Sequence, residues 1–555
     1  MAILTAAIGT APAGAASPLA FSKSGPVSPI GGGEPRVAVL VTGTRLATFQ
    51  GGDIVSRSTD GINWKTILPG GHTGTGFSPT NLTGACNELF DGGDVDIAAG
   101  PDGTAYVSSL SFNTPDGVGV AIISSHDDGQ HWTVVNCHAG EAAADRPWIA
   151  AGPGAGDLYL FQKDLHLEEP VVRASHDGGK TFGPISPVLT DPRLANFPVQ
   201  VSPGNFAVAP DGTVYAPFTI PAAAPAGDVT SAAAPQSRVI VGIGHEDPVT
   251  HLLTFVDRQV TPLVEDGSST NAAYIFPSLA VDTAGNPVVA WSQAATYKGP
   301  YDVYFSSCAS ACSDLLSEAN PLSVTWSSPV RVTSAGNNVF PAVAAGSPGH
   351  LALAWYGTSY SGDTTGGPGA GTLGQDSPAD WRTYVGTTID WLAGSAAKPH
   401  FQVADASGHV IHHGSVCLGG TFCNLSGAPG FGVVGNGNRT LADNFGIAID
   451  RAGGVETTWT DVSTRDKAGN PQGLVFAACQ VSGSSMIAGR GPLNGCGSNA
   501  AASPAERATQ APVAAPGSQL PNTSAPPADF LLVLMAAAAA VIVAGAQRRR
   551  VRNRR

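Results

Sequence analysis

The sequence of 555 residues predicts an all-β fold, a β-propeller built from seven four-stranded blades. The first observation is an internal repeat, in which seven segments share a short apolar strand around an alanine, a glycine-containing turn and a second apolar strand. The second observation is the turn chemistry, because Asp-Gly, Ala-Gly and Pro-Gly pairs are typical of tight hairpins. A second pair of strands follows in most units. Four antiparallel strands repeated around an axis form a propeller.

The recurring alanine of each unit has a physical explanation. Innermost strands converge on the propeller axis, where only small side chains fit. Six blades are the alternative if residues 36–67 only complete another blade, and a β-sandwich accounts less well for seven aligned units. The aligned alanines are Ala38, Ala98, Ala150, Ala207, Ala280, Ala344 and Ala448. Successive alanines are 60, 52, 57, 73, 64 and 104 residues apart.

Both ends of the chain differ in composition from the repeats. Residues 1–16 are apolar, contain no acidic residue and end in small residues, which is typical of a secretory signal peptide, although the positive n-region is missing. The propeller is predicted over residues 34–481. Residues 482–529 are rich in Ala, Pro, Ser and Gly and are expected to form a flexible stalk.

The C-terminal segment is expected to anchor the protein. Residues 530–546 are uncharged, and as a helix they would span roughly 26 Å, the short limit for crossing a bilayer. Six arginines in residues 547–555 would hold the tail in the cytoplasm. The sequence LPNTS at 520–524 resembles the LPxTG sortase signal of Gram-positive bacteria, with serine replacing glycine, so attachment to the cell wall is the alternative. Both interpretations predict an extracellular propeller on a bacterial cell.

The charge balance excludes one class of partner. The chain has 28 basic and 42 acidic residues, and without the six C-terminal arginines 22 basic residues face 42 acidic ones, a net charge of −20. A body this acidic repels nucleic acid. A glycan or a surface protein is therefore the expected partner.

Eight cysteines in an exported chain predict disulfides. Pairing by proximity in sequence is one of many possible connectivities. Zinc is a weaker alternative, because Cys308 and Cys312 are far in sequence from the histidine pair His409 and His413. No cofactor is expected, although Asp94 and Asp96 with Asp91 offer oxygen ligands suited to calcium. The predicted disulfides are Cys86–Cys137, Cys308–Cys312, Cys417–Cys423 and Cys479–Cys496.

Three of the early units contain a further turn motif, Ser-x-Asp-x-Gly-x-x-aromatic or a version one residue shorter. The Asp carboxylate is expected to accept backbone N–H groups, the glycine to take a positive φ, and the aromatic ring to pack beneath the turn. The three copies are Ser58, Asp60, Gly61 and Trp64; Ser125, Asp127, Gly129 and Trp132; and Ser175, Asp177, Gly179 and Phe182.

These motifs resemble the Asp-boxes (BNR repeats) of the sialidase superfamily, and the resemblance covers roughly residues 34–481. It implies a propeller in which each Asp-box joins the third and fourth strands of a blade, remote from the ligand.

Strand direction places the ligand site at one end of the channel. Residues that precede each first strand, or follow each second strand, should line that end, which we call the mouth. Carboxylates, arginines and aromatic rings gathered there suit a polar, sugar-like ligand. The candidate ligand-binding residues are Arg36, Asp96, Arg146, Trp148, Lys163, Arg439, Asp443 and Asp461.

The same resemblance implies a possible chemistry. Sialidases hold the substrate carboxylate with three arginines, use a tyrosine activated by a glutamate as nucleophile, and use an aspartate as acid/base. The arginines would be Arg36, Arg146 and Arg439, the tyrosine Tyr356, and the weak carboxylate candidates Asp94 and Asp145. The sequence EPRV at 34–37 departs from the Arg-Ile-Pro motif of the family. This departure favours a non-catalytic module that binds glycan or protein, with an exo-sialidase or related glycoside hydrolase as the alternative.

Overall fold

The computed structural model describes residues 17–50, 54–69, 81–84, 93–114, 117–140, 144–164, 169–190, 202–221, 236–260, 271–272, 276–295, 299–308, 326–364, 377–391, 398–416, 418, 440–441, 446–465 and 472–498. All regular elements in these ranges are strands, so they include no helix able to cross a membrane. The predicted signal peptide, C-terminal apolar run and basic tail lie outside the described residues.

Seven separate sheets, antiparallel except for one edge pairing in blade 2, confirm the predicted seven-bladed propeller. In each blade the main strands run outward from the channel in chain order, and short strands from elsewhere in the chain add to the outer edges of some blades. Two short strands, β1 (Ala20–Phe21) and β2 (Gly25–Pro26), precede the first blade. Blade 1 consists of β3 (Arg36–Val39), β4 (Arg45–Phe49), β5 (Ile54–Ser58) and β6 (Lys65–Pro69). These four strands form a sheet of their own, so the six-bladed alternative is wrong.

The next three blades repeat this plan. Blade 2 consists of β7 (Leu82–Thr83) at the outer edge, β8 (Val95–Ala99), β9 (Ala105–Thr114), β10 (Gly117–Ser125) and β11 (Trp132–Asn136). Blade 3 consists of β12 (Ala144–Ala151), β13 (Leu158–Asp164), β14 (Glu169–Ser175) and β15 (Ser186–Pro187). Blade 4 consists of β16 (Ser202–Pro203), β17 (Ala207–Val208), β18 (Val214–Pro221), β19 (Gln236–Glu246) and β20 (Leu253–Gln259).

The last three blades complete the ring. Blade 5 consists of β21 (Asn271–Ala272), β22 (Ser278–Val281), β23 (Pro287–Ala294), β24 (Asp302–Ser307) and β25 (Val330–Arg331). Blade 6 consists of β26 (Asn337–Ala345), β27 (Leu351–Thr358), β28 (Asp380–Thr388), β29 (Gln402–Asp405) and β30 (His412–His413). Blade 7 consists of β31 (Gly446–Ile449), β32 (Val455–Asp461), β33 (Leu474–Gly483) and β34 (Leu493–Asn494).

The aligned alanines all lie in innermost strands, and each is at most 6% exposed. Ala98, Ala150 and Ala207 line a cavity of about 260 Å³ inside the ring. This cavity lies where the first strand of each blade turns into the second, an end of the channel that we call the hairpin end. Small side chains are needed there because neighbouring inner strands approach one another.

The N-terminal segment closes the ring. β1 and β2 pair antiparallel with β33, so the outer edge of blade 7 comes from the start of the described chain. Val27 continues this segment and packs with Val475 in a buried cluster. Backbone pairing between this N-terminal segment and β33 therefore joins the last blade to the first.

Two predicted boundaries are corrected by this closure. The propeller was expected over residues 34–481, but residues 20–26 provide strands before that range. The stalk was expected to begin at residue 482, but Met486 and Leu493 are buried and β34 pairs with β33. The sequence repeat that defined the boundaries is a feature of the inner hairpin of each blade. These outer strands lack the repeat, so it could not predict them.

The described disulfide is Cys479–Cys496, as predicted, and it ties β33 to the segment after β34. Cys137 and Cys308 are also disulfide-bonded, and the described residues include no free cysteine. Their predicted partners, Cys86 and Cys312, lie outside the described residues, as do Cys417 and Cys423.

A buried ion cluster joins blade 7 to blade 1. The Arg45 guanidinium donates to Glu456 (Nε to Oε1, 2.8 Å) and to Asp450 (Nη2 to Oδ2, 2.9 Å). Burial raises the pKa of Glu456 to about 8, although the Arg45 charge works to lower it. The charges are therefore coupled across the seam at which the ring closes.

The three Asp motifs form turns between the third and fourth strands of blades 1, 2 and 3. In each turn the serine hydroxyl accepts the N–H of a motif glycine: Gly61 at 2.9 Å, Gly129 at 3.0 Å and Gly179 at 2.9 Å. These glycines have φ of 75°, 78° and 84°, which a side chain would disfavour. The carboxylates of Asp60, Asp127 and Asp177 accept the N–H groups of Asn63, His131 and Thr181. The aromatic residues Trp64, Trp132 and Phe182 pack against buried clusters.

Candidate functional site

The mouth is built from equivalent positions of successive blades. Four residues before the aligned alanines lie Glu34, Asp94, Arg146, Pro203, Phe276 and Phe340. Three of these, Glu34, Arg146 and Phe340, have positive φ values of 56°, 61° and 54°. In blades 3 and 6 the strand register also shifts at this point, as in a β-bulge. Left-handed backbone at a non-glycine residue is strained and clusters at functional sites.

Positions two residues before the aligned alanines connect neighbouring blades. Asp96 accepts the N–H of Ile149 (2.9 Å), and Asn205 accepts the N–H of Leu279 (3.0 Å). Ser278 repeats this with the N–H of Val343 (3.1 Å). In each case a side chain of one blade binds the backbone of the next. The predicted ligand-binding residue Asp96 therefore has a structural hydrogen bond at this position.

Arg36 occupies the same position in blade 1 but makes no such bond. Its side chain is fully buried, with Nε 3.5 Å from Asp96 Oδ1 and Cζ 5.0 Å from the centre of the Trp148 ring. None of its three guanidinium nitrogens makes a hydrogen bond within the described part of the chain, and neither does Trp148 Nε1. Buried donors without acceptors are costly, at about 1–3 kcal/mol each. The pair therefore presents unsatisfied donors inside the mouth.

The charges around Arg36 are mainly negative. Glu34, Asp94 and Asp96 all act on its guanidinium, yet burial outweighs them and lowers the pKa of Arg36 to about 10. Burial also raises the pKa of Asp96 to about 7, against the effects of Arg36 and of two backbone N–H groups. Gln50 holds Glu34 through a 2.7 Å hydrogen bond. Gln50 was not among the predicted site residues, although it directly follows the second strand of the same blade.

Arg146 lies beside this cluster with contacts of its own. Its Cζ is 4.4 Å from the centre of the Phe276 ring, and its Nε is 3.8 Å from Asp145 Oδ2. Arg146 is mostly buried, whereas the Asp145 side chain is 27% exposed. Asp145 pairs in register with Lys163 of the next strand, so these predicted residues lie together at the rim.

Tyr356 and Asp461, like Arg36, Asp96 and Trp148, are less accessible than expected. Tyr356 is fully buried, and its hydroxyl accepts the N–H of Thr460 at 3.1 Å. Burial raises the pKa of Tyr356, with further contributions from Asp461 and Glu34. Asp461 is also buried and binds His409 Nε2 at 2.7 Å. The interpretation of Tyr356 and Asp461 as open mouth residues is therefore corrected, because strand direction predicts position but not coverage by neighbouring blades.

Other expectations have mixed outcomes. Of the histidines weighed as zinc ligands, His409 binds Asp461, and His413 lies in β30, which pairs with β28 of blade 6. Of the suggested calcium ligands, Asp94 and Asp96 face Arg36. Asp91, Arg439 and Asp443 lie outside the described residues, so the expected three-arginine clamp has two described members, Arg36 and Arg146.

No protein-family model matches the chain, and comparison with curated proteins finds no match. Solved structures similar to it include a polysaccharide lyase, a PL25 ulvan lyase, with 12% identity and a TM-score of 0.41, covering 83% of this chain and 95% of that chain. They also include the GH93 α-L-arabinofuranosidase of Fusarium graminearum, with 14% identity and a TM-score of 0.36, covering 61% and 92%. A Hadza microbial sialidase has 13% identity and a TM-score of 0.34, covering 68% and 66%.

Proposed function

We propose that this chain is a cell-surface propeller that binds a glycan at the mouth of its channel, without a need for catalysis. The observation that carries the proposal is the buried Arg36 guanidinium, which contacts Asp96 at 3.5 Å but receives no hydrogen-bond acceptor from the described residues, next to the Trp148 indole, which receives none from them either. The proposal includes export, attachment through the C-terminal segment, and the Asp-box nature of the three turns.

The polar groups of the mouth favour a neutral sugar. Arg36 and Trp148 can only donate hydrogen bonds. Glu34, Asp94 and Asp96 accept them and would repel a ligand carboxylate. A sugar hydroxyl both donates and accepts, so it can satisfy both groups.

The state of Tyr356 supports binding over hydrolysis. A nucleophilic tyrosine needs a base within reach or a lowered pKa. The Tyr356 hydroxyl instead lies in the interior against the Thr460 backbone, and burial raises its pKa. Arg36 and Trp148 are as fully buried as Tyr356, so binding and hydrolysis would both require the mouth to open. The raised pKa of Tyr356 then disfavours its role as a nucleophile.

The test is a glycan array with the purified full-length chain, followed by calorimetry with the best ligand. Arg36→Met keeps much of the side-chain volume and removes the donors. We expect it to weaken a neutral glycan at least about tenfold, or about 1.4 kcal/mol. Arg382→Met, which changes an arginine paired with Asp405 at the blade edge, is the matched control and should bind normally.

Two results would contradict the proposal. One is unchanged affinity in Arg36→Met, and the other is the absence of any glycan ligand on the array. Tyr356→Phe should leave binding intact. Sugar release by the wild type that Tyr356→Phe abolishes would instead establish the hydrolase alternative.

A further inference from the structure

Two histidines and a glutamate meet between blades 3 and 4, at the opposite end of the ring from Arg36. His176 belongs to the third Asp motif, after β14. Glu246 ends β19, and His251 lies in the turn that leads into β20. One donor atom from each residue lies within 4.8 Å of the others. We call these three residues the seam triad.

The contacts within the seam triad converge on one oxygen atom. Glu246 Oε1 is 2.6 Å from His176 Nε2 and 2.7 Å from His251 Nδ1. The two imidazole rings have centroids 4.8 Å apart. Zn²⁺ bonds of about 2.0 Å would place tetrahedral ligand atoms about 3.3 Å apart, so the glutamate oxygen and each histidine nitrogen need to separate by about 0.6 Å, while the two histidine nitrogens already lie within 4.8 Å of each other.

Two further residues hold the seam triad in orientation. Asp157 Oδ1 binds His176 Nδ1 at 2.8 Å, which leaves Nε2 as the nitrogen that faces the triad. The Tyr159 hydroxyl donates to Glu246 Oε2 at 2.9 Å, which leaves Oε1 toward the histidines. A carboxylate on the outer nitrogen of a histidine is the usual second partner of a metal-binding imidazole.

The backbone at His251 is also unusual. Its φ is 56°, a left-handed conformation that non-glycine residues adopt at a cost. The N–H of His251 donates to the carbonyl of Asp247 at 2.9 Å, which closes a tight turn. This turn directs the imidazole of blade 4 toward blade 3.

We propose that His176, Glu246 and His251 bind a divalent transition-metal cation of the zinc class, which fastens blade 3 to blade 4. Two imidazole nitrogens and one carboxylate oxygen form a ligand set typical of zinc. The His176 and His251 side chains are 37% and 46% exposed, so solvent can complete the coordination. The proposed ion stabilises the folded chain because an unfolded chain would separate its ligands.

Calorimetry of the purified full-length chain with ZnCl₂, after treatment with a chelator, tests the proposal. We expect one saturable site per chain and a higher melting temperature in the presence of Zn²⁺. His176→Ala and His251→Gln should each lose the site and the zinc-dependent shift. Asp157→Asn, which keeps the ligands but weakens their orientation, should reduce affinity about 10–100-fold.

His126→Ala is the matched control. His126 has the place of His176 in the second Asp motif, but its Nδ1 contacts the Thr104 hydroxyl at 3.0 Å. This variant should bind zinc like the wild type. Co²⁺ absorption that shows nitrogen and oxygen ligands, and that His251→Gln abolishes, would support the site by a second measurement.

Two outcomes would overturn the proposal. One is no saturable binding up to about 1 mM Zn²⁺. The other is equal affinity in His176→Ala and His126→Ala, which would place the bound zinc elsewhere. Melting temperatures without metal show whether each variant is folded. Because His251→Gln keeps a polar side chain, it tests the site even if His176→Ala disturbs its turn.

Discussion

Replacing Arg45 with alanine should weaken the closure of the ring strongly. The Arg45 side chain is 5% exposed and binds two carboxylates that are each 2% exposed, Asp450 and Glu456. Its Nη1 also donates to the carbonyl of Gly43 at 2.8 Å. Removing one partner of a buried pair costs about 3–5 kcal/mol, because the other charge stays buried. We expect a loss of this size in the free energy of unfolding of Arg45→Ala.

The loss should depend on pH. The Glu456 pKa of about 8 lies above its ordinary value of 4.5, so its contribution to stability is present below pH 4.5 and is lost as pH rises through about 8. Without Arg45 the pKa of Glu456 rises further, so the folded variant keeps a proton that the wild type releases. Above about pH 8 the free energy of unfolding of the variant therefore continues to fall as the pH rises, whereas the Glu456 contribution in the wild type no longer changes.

The assay is urea unfolding followed by tryptophan fluorescence at about pH 7 and about pH 9.5. Arg382→Ala is the control, because Arg382 pairs with Asp405 at 36% and 27% exposure and a pair of that kind contributes about 0–1 kcal/mol. A loss below about 1 kcal/mol in Arg45→Ala, or the same loss at both pH values, would refute the reasoning.

Two further predictions concern the last blade and the Asp motifs. Replacing both Cys479 and Cys496 with serine removes a cross-link between residues 17 apart in sequence and should lower the free energy of unfolding by about 3 kcal/mol. The measurement is the unfolding midpoint without reductant. An unchanged midpoint would mean that strand pairing alone holds this segment. Asp177→Ala removes the acceptor of the Thr181 N–H and hydroxyl in an exposed turn and should lower the free energy of unfolding by about 1 kcal/mol. Glycan affinity should persist, because this turn lies at the hairpin end, away from the mouth. Loss of binding at native stability in Asp177→Ala would contradict the placement of the ligand at the mouth.

Several of the predicted mouth residues occupy equivalent strand positions in their blades, but their environments could not be predicted from the sequence. Counting back from each aligned alanine places Arg36, Asp96 and Trp148 at one level, because blades repeat the same register. Burial is different, since it depends on side chains of neighbouring blades. Tyr356 has the expected position at the end of its strand, yet Phe340 and the Thr460 backbone enclose it.

By itself the sequence determined the fold class and the turn chemistry of the blades, and it favoured seven blades over six. These follow from contacts within one unit, where alternating apolar residues and glycine turns act over a few residues. Only the tertiary structure decided how the ring closes, because β1 and β33 are far apart in the chain and β1 is two residues long. The same holds for the Arg45 cluster and the seam triad. Their residues come from different blades, and a local pattern carries no information on which blades meet.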